Sequence, residues 1–420
     1  MSSSDPDDVW PSYDGSGIVN FPGMVLAHFS AILHDMALIQ GGLAPPLLSS
    51  HHVPLRSDMR VVLCFLIDAF GYHQLIDQLT LGNMPNLQQL LDRGALLTTL
   101  TSVFPSTTAS ALFSLNTGLA PAQHGVVGYN IWLPRLGLVA NMIRMGPAAG
   151  GPAFEDLTSF AASKTVYERL MGSGVGAYVV GPADLARSPL TVLLHRGAIY
   201  VPFATPSTIG VRLDGLVADL LDAGRPGYIF VYWPFVDTVA HASGTASPEY
   251  AAEANLVDHL FFGWLCRRSF RRRVAAFVLA DHGQSSLDLA NAVLLNAREK
   301  ITALLARPPA GERRALYLKA QEGKAEALRA ALLSEFDGDI EILAVTEATQ
   351  QGLFGPVPAS GSALPFHPEL AERVGDWIVL PKGALQLNYA HREEAERMLA
   401  GGHGTLAEAE MQVPLISLSV

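Results

Sequence analysis

The stretch VVLCFLID, residues 61–68, places seven apolar residues in a row and ends on an aspartate. A run of this length, rich in Val, Leu, Ile and Phe, is typical of a strand that a sheet buries on both faces. Comparable apolar runs lie at residues 95–103, 175–180, 228–233 and 274–280, and amphipathic segments separate them. Buried strands that alternate with helical segments indicate a parallel sheet with crossover helices. The sequence therefore predicts an α/β fold with a mostly parallel central sheet flanked by helices.

The same alternation divides the chain into a core and two additions. We assign the core to residues 57–300 and 385–420, because these contain the buried runs and the motifs described below. Residues 1–56 mix Pro, Gly, Ser and His, and we expect them to form an extension packed on the core. Residues 301–384 carry a second set of strand and helix patterns. We expect this segment to form a small inserted α/β subdomain.

Composition and charge limit the partners of this protein. Of its 420 residues, 49% are hydrophobic and 16% are charged, which allows a large core and excludes general disorder. Lys and Arg number 28 against 39 Asp and Glu, and the net charge of −11 disfavours a nucleic-acid-binding surface. Two cysteines are too few for a disulfide framework, so we expect a reducing compartment. An acidic N-terminus and the lack of about 18 consecutive apolar residues predict a cytoplasmic protein without a membrane span. Nothing in the sequence indicates an oligomeric state.

Carboxylate and imidazole side chains follow three of the predicted strands at the point where each strand ends. These side chains are Asp68, Asp237, His241, Asp281 and His282. Because the carboxyl ends of parallel strands meet at one edge of a sheet, we expect them to lie close together. So much charge at one edge is unfavourable unless a cation neutralises it. A mixed carboxylate and imidazole set suits zinc, with manganese and iron as alternatives.

A further imidazole and a group of hydroxyls add to this candidate metal site. His403 lies in the sequence GGHG, residues 401–404, where small glycines allow a close approach of the backbone. The sequence FPSTTAS, residues 104–110, stands between a predicted strand and a predicted helix. A hydroxyl at a helix N-terminus is well placed to act as a nucleophile on a phosphoryl group. Taken alone, Ser and Thr at such a position more commonly cap the helix.

Taken in order, these motifs resemble the alkaline phosphatase superfamily and, within it, the type I phosphodiesterase/nucleotide pyrophosphatase branch. In the first half the resemblance rests on LIDAFG (66–71), MPNL (84–87), FPSTT (104–108), NTGLAP (116–121) and HGVVG (124–128). In the second half it rests on DTVAH (237–241), ADHGQ (280–284), HGT (403–405) and EMQVPL (410–415). It covers residues 61–289 and 403–416, and the order of the motifs makes it specific.

The resemblance implies two zinc ions and a role for each ligand. Asp237, His241 and His403 would hold one zinc ion, and Asp68, Asp281 and His282 would hold the other. The Thr108 hydroxyl would lie at the second zinc ion and act as the nucleophile.

Two positions leave an alternative open. Alignment on Thr117-Gly118 places the nucleophile at Thr108, with Thr107 as the alternative one residue away. The branch also uses an asparagine after its HG motif to bind a phosphoryl oxygen. Tyr129 occupies the strict position in this sequence, and Asn130 follows it. We assign the role to Asn130.

The implied function is the hydrolysis of a small-molecule phosphoester, such as a nucleotide, through a phospho-threonine intermediate. A phosphomonoesterase or a phosphonate hydrolase of the same superfamily is the alternative. A monoesterase would place an arginine near the phosphate, and Arg144 is the nearest one downstream, but no motif marks it. A non-catalytic phosphate-binding protein is disfavoured because all six ligand positions and the hydroxyl are present. The sequence does not reveal the leaving group, because loops and insertions set specificity in such folds.

Overall fold

The computed structural model describes residues 8–40, 43–160, 163–270, 273–358, 365–392 and 398–420. The strands in chain order are β1 (Val61–Ile67), β2 (Leu96–Thr101), β3 (Asn130–Leu133), β4 (Leu138–Asn141), β5 (Gly146–Pro147), β6 (Gly176–Pro182), β7 (Ile199–Phe203), β8 (Gly227–Trp233), β9 (Val274–Leu279), β10 (Ser285–Ser286), β11 (Ala292–Leu294), β12 (Ala310–Glu312), β13 (Ala315–Leu318), β14 (Ile340–Ala344), β15 (Trp377–Pro381), β16 (Gln386–Asn388), β17 (Gly401–Gly402) and β18 (Gln412–Ser419). The α-helices in chain order are α1 (Phe21–Leu33), α2 (Tyr72–Thr80), α3 (Pro85–Asp92), α4 (Thr108–Thr117), α5 (Pro121–His124), α6 (Val166–Gly172), α7 (Pro189–Leu194), α8 (Ile209–Asp222), α9 (Phe235–Ser243), α10 (Pro248–Val257), α11 (Gly263–Cys266), α12 (Glu299–Thr302), α13 (Ala325–Phe336), α14 (Val345–Gln350), α15 (Leu370–Val374) and α16 (Glu408–Met411).

The main sheet has the strand order β2-β18-β9-β1-β8-β6-β7. β1 pairs in parallel with β8 and β9, and β6 pairs in parallel with β7 and β8. All seven residues of β1 are buried because the strand has a parallel neighbour on each side and helices cover the sheet. The predicted α/β fold with a mostly parallel sheet is confirmed.

One predicted strand differs from the expectation of full burial. β2 is an edge strand, and it pairs antiparallel with β18, which in turn is antiparallel to β9. Of its six residues only Leu100 is buried, because an edge strand with several threonines is covered on one side only. The apolar run at residues 95–103 therefore predicts the strand correctly, but the prediction that this strand is buried on both faces is wrong.

A second sheet has the order β14-β15-β13-β12-β3-β4-β5. Its strands come from residues 130–147 as well as from the segment after residue 301, and the pairing of Gly311 with Asn130 joins the two groups. The segment 301–384 therefore shares a sheet with an earlier part of the chain. Its description as a subdomain of its own stays a prediction.

The N-terminal helix α1 lies against the main core. Phe21, Val25, Leu26 and Phe29 are buried there, and the Phe21 ring meets the Phe277 ring edge-on at 5.4 Å. Among the described residues, no helix is both long and apolar enough to cross a lipid bilayer.

Residues of both sheets, together with helix and loop residues, line a cavity of about 620 Å³. Residues near the carboxyl ends of β1 and β8 line it together with residues of β3, β4 and β12. In an open parallel sheet this end is where ligands bind, so the fold places the cavity where the sequence predicts chemistry.

Candidate active site

Two adjacent strands place the first pair of predicted ligands. Asp68 follows β1 directly, and Asp281 comes shortly after the paired strand β9. The Ala69 amide donates to Asp281 Oδ1 at 3.0 Å, and the His282 amide donates to the same oxygen at 3.0 Å. Parallel pairing in this register therefore brings the two carboxylates together, as the sequence predicts.

Helix α9 and the loop after β17 supply the other ligands. Asp237 and His241 lie one turn apart on α9, with Oδ1 and Nε2 separated by 3.1 Å. His403 Nε2 lies 3.3 Å from His241 Nε2 and 3.7 Å from Asp237 Oδ1. A Cβ at Gly401 would stand 2.5 Å from the Ala240 carbonyl oxygen, so glycine is needed for β17 to approach α9 this closely.

All three imidazoles are oriented by a backbone carbonyl. His241 Nδ1–H donates to the Gly401 carbonyl oxygen at 2.8 Å, and His282 Nδ1–H donates to the Gly283 carbonyl oxygen at 2.9 Å. His403 Nδ1–H donates to the Ser106 carbonyl oxygen at 2.8 Å. Because a carbonyl oxygen only accepts, Nδ1 carries a proton in each ring, and Nε2 is the atom left to coordinate an ion. Metal-binding histidines are held in this way in proteins.

Asp68 and Asp281 are buried and Asp237 is half-buried, and the proximity of the three carboxylates shifts their pKa values. Burial and the charges of Asp281 and Asp237 raise the pKa of Asp68 well above its usual value. Burial also raises the pKa of Asp281. Burial acts in the same direction on Asp237, but the imidazoles of His241 and His403 outweigh it and lower the pKa of this carboxyl to about 2.

The cluster has the features of a cation site. Asp281 Oδ2 is buried and has no hydrogen-bond partner among the described residues, although it lies 3.4 Å from His282 Nε2. A bare carboxylate oxygen beside imidazole lone pairs is unfavourable unless a positive ion lies between them. The residues present therefore fit a metal of the type that accepts both nitrogen and oxygen ligands.

The ligand atoms fall into two groups, in each of which all atoms lie within 4.8 Å of one another. The first group is Asp237, His241 and His403, the set expected for one zinc ion. The second group is Asp68, Asp237 and His282. Asp237 belongs to both groups, whereas Asp281 adjoins the second group through its contact with His282.

Thr108 is the first residue of α4, and its hydroxyl faces the second group. Thr108 Oγ1 lies 3.1 Å from His282 Nε2 and 3.5 Å from Asp68 Oδ1. Thr107 is buried, and its hydroxyl faces the carboxylate of Glu312 rather than the predicted ligands. The two candidate hydroxyls therefore differ in their surroundings, and among the described residues only that of Thr108 contacts predicted ligands.

Both candidates for the phosphoryl-binding position line the cavity. Asn130 begins β3, and its Oδ1 accepts a hydrogen bond from Asn141 Nδ2 at 3.4 Å. Tyr129 is exposed, and its amide donates to Glu312 Oε1 at 3.2 Å. The Asn130 side chain is thus held by the neighbouring strand β4.

Several residues of the site were not predicted. Tyr232 Oη donates to Asp68 Oδ2 at 2.5 Å, and Gln284 Nε2 donates to Asp237 Oδ1 at 2.9 Å. Burial raises the pKa of Glu312 to about 8, and its Oε2 lies 3.6 Å from His403 Nδ1. Gln284 lies in the ADHGQ motif, which could have revealed it. Tyr232 and Glu312 lie in strands where no local pattern sets them apart.

The cavity also contains positive charge that the sequence left unassigned. Arg144, Arg313 and Arg392 line it together with the predicted ligands. Burial lowers the pKa of the neighbouring His391 to about 4, so this imidazole is neutral near pH 7 and adds no charge.

Fold and site together define a class of protein. A mostly parallel sheet that holds a carboxylate and imidazole cluster at its strand ends, with a threonine hydroxyl at a helix start beside it, is the arrangement of the alkaline phosphatase superfamily. Within this class, the chain belongs to the type I phosphodiesterase/nucleotide pyrophosphatase family, whose model matches residues 62–406.

Relatives of known sequence carry names from the same family. The chain is 27% identical over 215 residues to an uncharacterized pyrophosphatase/phosphodiesterase of Schizosaccharomyces pombe, covering 50% of this chain and 42% of that protein. It is 28% identical over 242 residues to ectonucleotide pyrophosphatase/phosphodiesterase family member 3 of Rattus norvegicus, covering 55% of this chain and 26% of that protein. The match thus spans less than half of either relative.

Solved structures share the fold at low sequence identity. Murine ectonucleotide pyrophosphatase/phosphodiesterase 5, as an inactive threonine-to-alanine variant in complex with AMP, matches with a TM-score of 0.61 and 17% identity over 85% of this chain and 87% of that chain. Phosphonoacetate hydrolase from Sinorhizobium meliloti, in complex with phosphonoacetate, matches with a TM-score of 0.57 and 18% identity over 85% and 90% of the two chains.

Proposed function

We propose that this protein is a metal-dependent hydrolase of phosphodiester or pyrophosphate bonds that acts through a phospho-threonine intermediate at Thr108. The observation that carries the proposal is the orientation of His241, His282 and His403. Each holds its Nδ1 proton on a carbonyl and turns Nε2 toward buried carboxylates, and one of these nitrogens lies 3.1 Å from Thr108 Oγ1. The two ligand groups support two metal ions per chain, with zinc as first choice and manganese or iron as alternatives.

When bound, the metal ions supply positive charge that lowers the pKa of a nearby hydroxyl or water and stabilises charge on the reacting oxygens. The carboxylates of Asp68, Asp237 and Asp281 provide the negative charge that retains such ions. Tyr232 and Gln284 hold two of these carboxylates in place through their hydrogen bonds.

The reaction then proceeds in two displacements. Thr108 loses its proton, and Oγ1 forms a bond to phosphorus while the bond from phosphorus to the leaving oxygen breaks and its electron pair departs with that oxygen. A water oxygen next attacks phosphorus, the bond from phosphorus to Thr108 Oγ1 breaks with its electron pair on Oγ1, and a proton of that water passes to Oγ1 and restores the hydroxyl. The N-terminus of α4 favours the negative charge of the phosphoryl group throughout. Asn130 is the residue we assign to a phosphoryl oxygen.

Two observations support the substrate class: the names of the related proteins, and the negative charge of the carboxylates in the site. The names of the relatives and the AMP complex of the murine protein support a nucleotide or a similar phosphodiester. A diester carries a single charge on its non-bridging oxygens, whereas a monoester brings a further charged oxygen toward three carboxylates. An unpaired charge of this kind costs several kcal/mol, or about a hundredfold or more in rate.

The test compares kcat/KM for bis(4-nitrophenyl) phosphate and 4-nitrophenyl phosphate on one zinc-loaded preparation. We expect the diester to be preferred by about a hundredfold or more. A clear preference for the monoester would contradict the proposal and would identify a phosphatase, in which Arg144 is the first candidate for a contact with the phosphate.

A further inference from the structure

The carboxylate of Glu312 in β12 lies between three other segments of the site. Its Oε1 accepts a hydrogen bond from the Tyr129 amide at 3.2 Å, and its Oε2 lies 3.6 Å from His403 Nδ1. The Thr107 hydroxyl faces the same carboxylate. Only 9% of the Glu312 side chain is exposed, although it lines the cavity. One side chain thus contacts the residue before α4, the residue before β3 and the loop after β17.

Two glycines allow Glu312 to reach this position. Gly311 has a φ of +83°, and a Cβ there would stand 2.0 Å from the Ala315 carbonyl oxygen. Gly404 has a φ of +131°, and a Cβ there would stand 3.1 Å from Glu312 Cγ. Residues with a Cβ rarely adopt such φ values, whereas glycine does so readily. The backbone before Glu312 and the loop that it packs against therefore both use glycine to bring the carboxylate into the site.

Several contacts hold the backbone that carries Asn130. The Tyr129 amide donates to Glu312, and the Tyr129 carbonyl oxygen accepts a hydrogen bond from the Met142 amide at 2.7 Å. Asn130 itself pairs with β12 on one side and with β4 on the other. Of these contacts, the one to Glu312 is supplied by a side chain and the others by backbone groups. A substitution at Glu312 therefore removes one support of Asn130 and leaves the strand pairing in place.

We propose that Glu312 is a positioning residue whose bond to the Tyr129 amide fixes the backbone of Asn130, so that the Asn130 side chain meets a phosphoryl oxygen. This inference rests on the proposed function, which assigns Asn130 to that oxygen. A displacement of about 1 Å at such a contact can cost about a hundredfold in rate. The contact with Thr107 is secondary, because the Tyr129 amide keeps its acceptor when that hydroxyl is absent.

The test is a double-variant cycle on the binding of diphenylphosphinate to the zinc-loaded full chain. This anion carries a single charge on its phosphoryl oxygens and has no leaving oxygen, so its binding does not depend on hydrolysis. Titration calorimetry gives the Kd of the wild type, Glu312→Ala, Asn130→Ala and the double variant. We expect each single variant to bind about tenfold more weakly, as for the loss of one hydrogen bond to an anion. In the Asn130→Ala background, Glu312→Ala should cost less than about twofold, because the side chain that it positions is gone.

Two further variants serve as controls. Glu312→Gln keeps an oxygen that accepts from the Tyr129 amide, so it should bind within about twofold of the wild type. Glu322→Ala removes an exposed carboxylate outside the cavity from the same part of the chain and should bind as the wild type does. Metal content by plasma mass spectrometry should be the same in every variant, because the proposal gives Glu312 no role as a ligand.

Four results would overturn the positioning role: no binding by the wild type, unchanged binding by Glu312→Ala, an equal loss from Glu312→Ala in both backgrounds, or a loss of metal in Glu312→Ala. Hydrolysis of bis(4-nitrophenyl) phosphate on the same preparations separates the two proposals. Hydrolysis without coupling between the two residues would contradict the positioning role alone. Coupling without hydrolysis would contradict the proposed function alone.

Discussion

Adjacent threonines at the start of α4 have different surroundings. Thr107 is the extended residue before the helix and Thr108 is the first helical residue, so their side chains point in different directions, and only the Thr108 hydroxyl meets His282 and Asp68. We predict that Thr108→Ala lowers kcat for bis(4-nitrophenyl) phosphate by about a thousandfold or more, because the covalent route is lost. Metal content by plasma mass spectrometry and the Tm should stay near those of the wild type.

Two matched variants check this prediction. Thr107→Ala should retain most of the activity, because this hydroxyl lacks contact with the ligand cluster. Thr108→Ser should retain part of the activity, because it keeps a hydroxyl at the same position. Inactivation by Thr107→Ala together with an active Thr108→Ala variant would show that the assignment is wrong by one residue.

Asp281 provides a second prediction at this scale. Asp281→Asn keeps an acceptor for the amides of Ala69 and His282 but removes one charge from the cluster. Metal content should fall, because the ion loses a charged ligand. The Tm of the chelator-treated protein should stay equal or rise, because the repulsion from Asp68 is reduced.

The control for this variant is Asp219→Asn, an exposed change on α8 that should alter neither metal content nor Tm. Unchanged metal content in Asp281→Asn would contradict a ligand role for this residue.

At the residue scale, the sequence singles out the groups that follow strands directly. Asp68 and Asp281 are readable from position alone, since each follows an apolar run that a parallel sheet must bury. The positions of Tyr232 and Glu312 in the site could not be predicted from the sequence, because they depend on which strands lie next to each other in the fold. The local sequence does not contain that information.

At the scale of elements, Glu410 connects the loop of His403 to the rest of the site. Its buried carboxylate accepts hydrogen bonds from Arg314 at 2.7 Å, from Ser285 at 2.7 Å, and from the amide and hydroxyl of Thr405 at 2.7 and 2.8 Å. The Arg314 side chain is also buried and donates to two carbonyls. Strand β10, the loop after β17, helix α16 and the β12–β13 turn are thereby joined at one point.

We predict that Glu410→Ala lowers the free energy of unfolding by about 3–5 kcal/mol, because it leaves a buried guanidinium without its partner. The measurement is urea denaturation followed by circular dichroism. The double variant Glu410→Ala with Arg314→Met should be less destabilised than the sum of the single variants, because it removes both charges. Additive effects would contradict a coupled pair.

The short strands of the second sheet could not be predicted from the sequence. β3 and β4 are four residues each, and β5 is two, so their apolar patterns are too short to stand out. They form a sheet only through pairing with β12, which lies far along the chain. Strand formation of this kind depends on the partner strand rather than on local preference.

At the scale of the whole molecule, charge distribution matters more than net charge. The value of −11 predicted weak affinity for polyanions but did not locate the arginines that line the cavity. Those residues come from separate segments of the chain, and only the second sheet and its flanking loops bring them together. The sequence thus indicated the reaction class and left the rest of the substrate unspecified.

Stability of the whole chain should depend on pH through His195. Its ring packs among Tyr167, Tyr200 and Phe230, and burial lowers its pKa to about 3 from 6.5. Between these values the unfolded chain binds a proton that the folded chain does not, so stability falls as the pH falls below about 6.5. The loss from this one group is at most about 1.4 kcal/mol per pH unit.

We predict that His195→Phe removes this contribution, because the aromatic ring is kept and the titrating group is lost. Urea unfolding at pH 7, 6 and 5 should show the variant gaining stability relative to the wild type as the pH decreases. A difference between the two proteins that stays constant across this range would contradict a buried neutral His195.

We propose that hydrolysis depends on metal ions that the ligand cluster binds. The most direct test strips the full chain of metal with a chelator, adds zinc stepwise, and follows the hydrolysis of bis(4-nitrophenyl) phosphate. We predict a negligible rate without zinc and a rise that levels off near two zinc ions per chain, as the two ligand groups imply. A full rate in the metal-free protein, or no hydrolysis at any zinc concentration, would contradict the account.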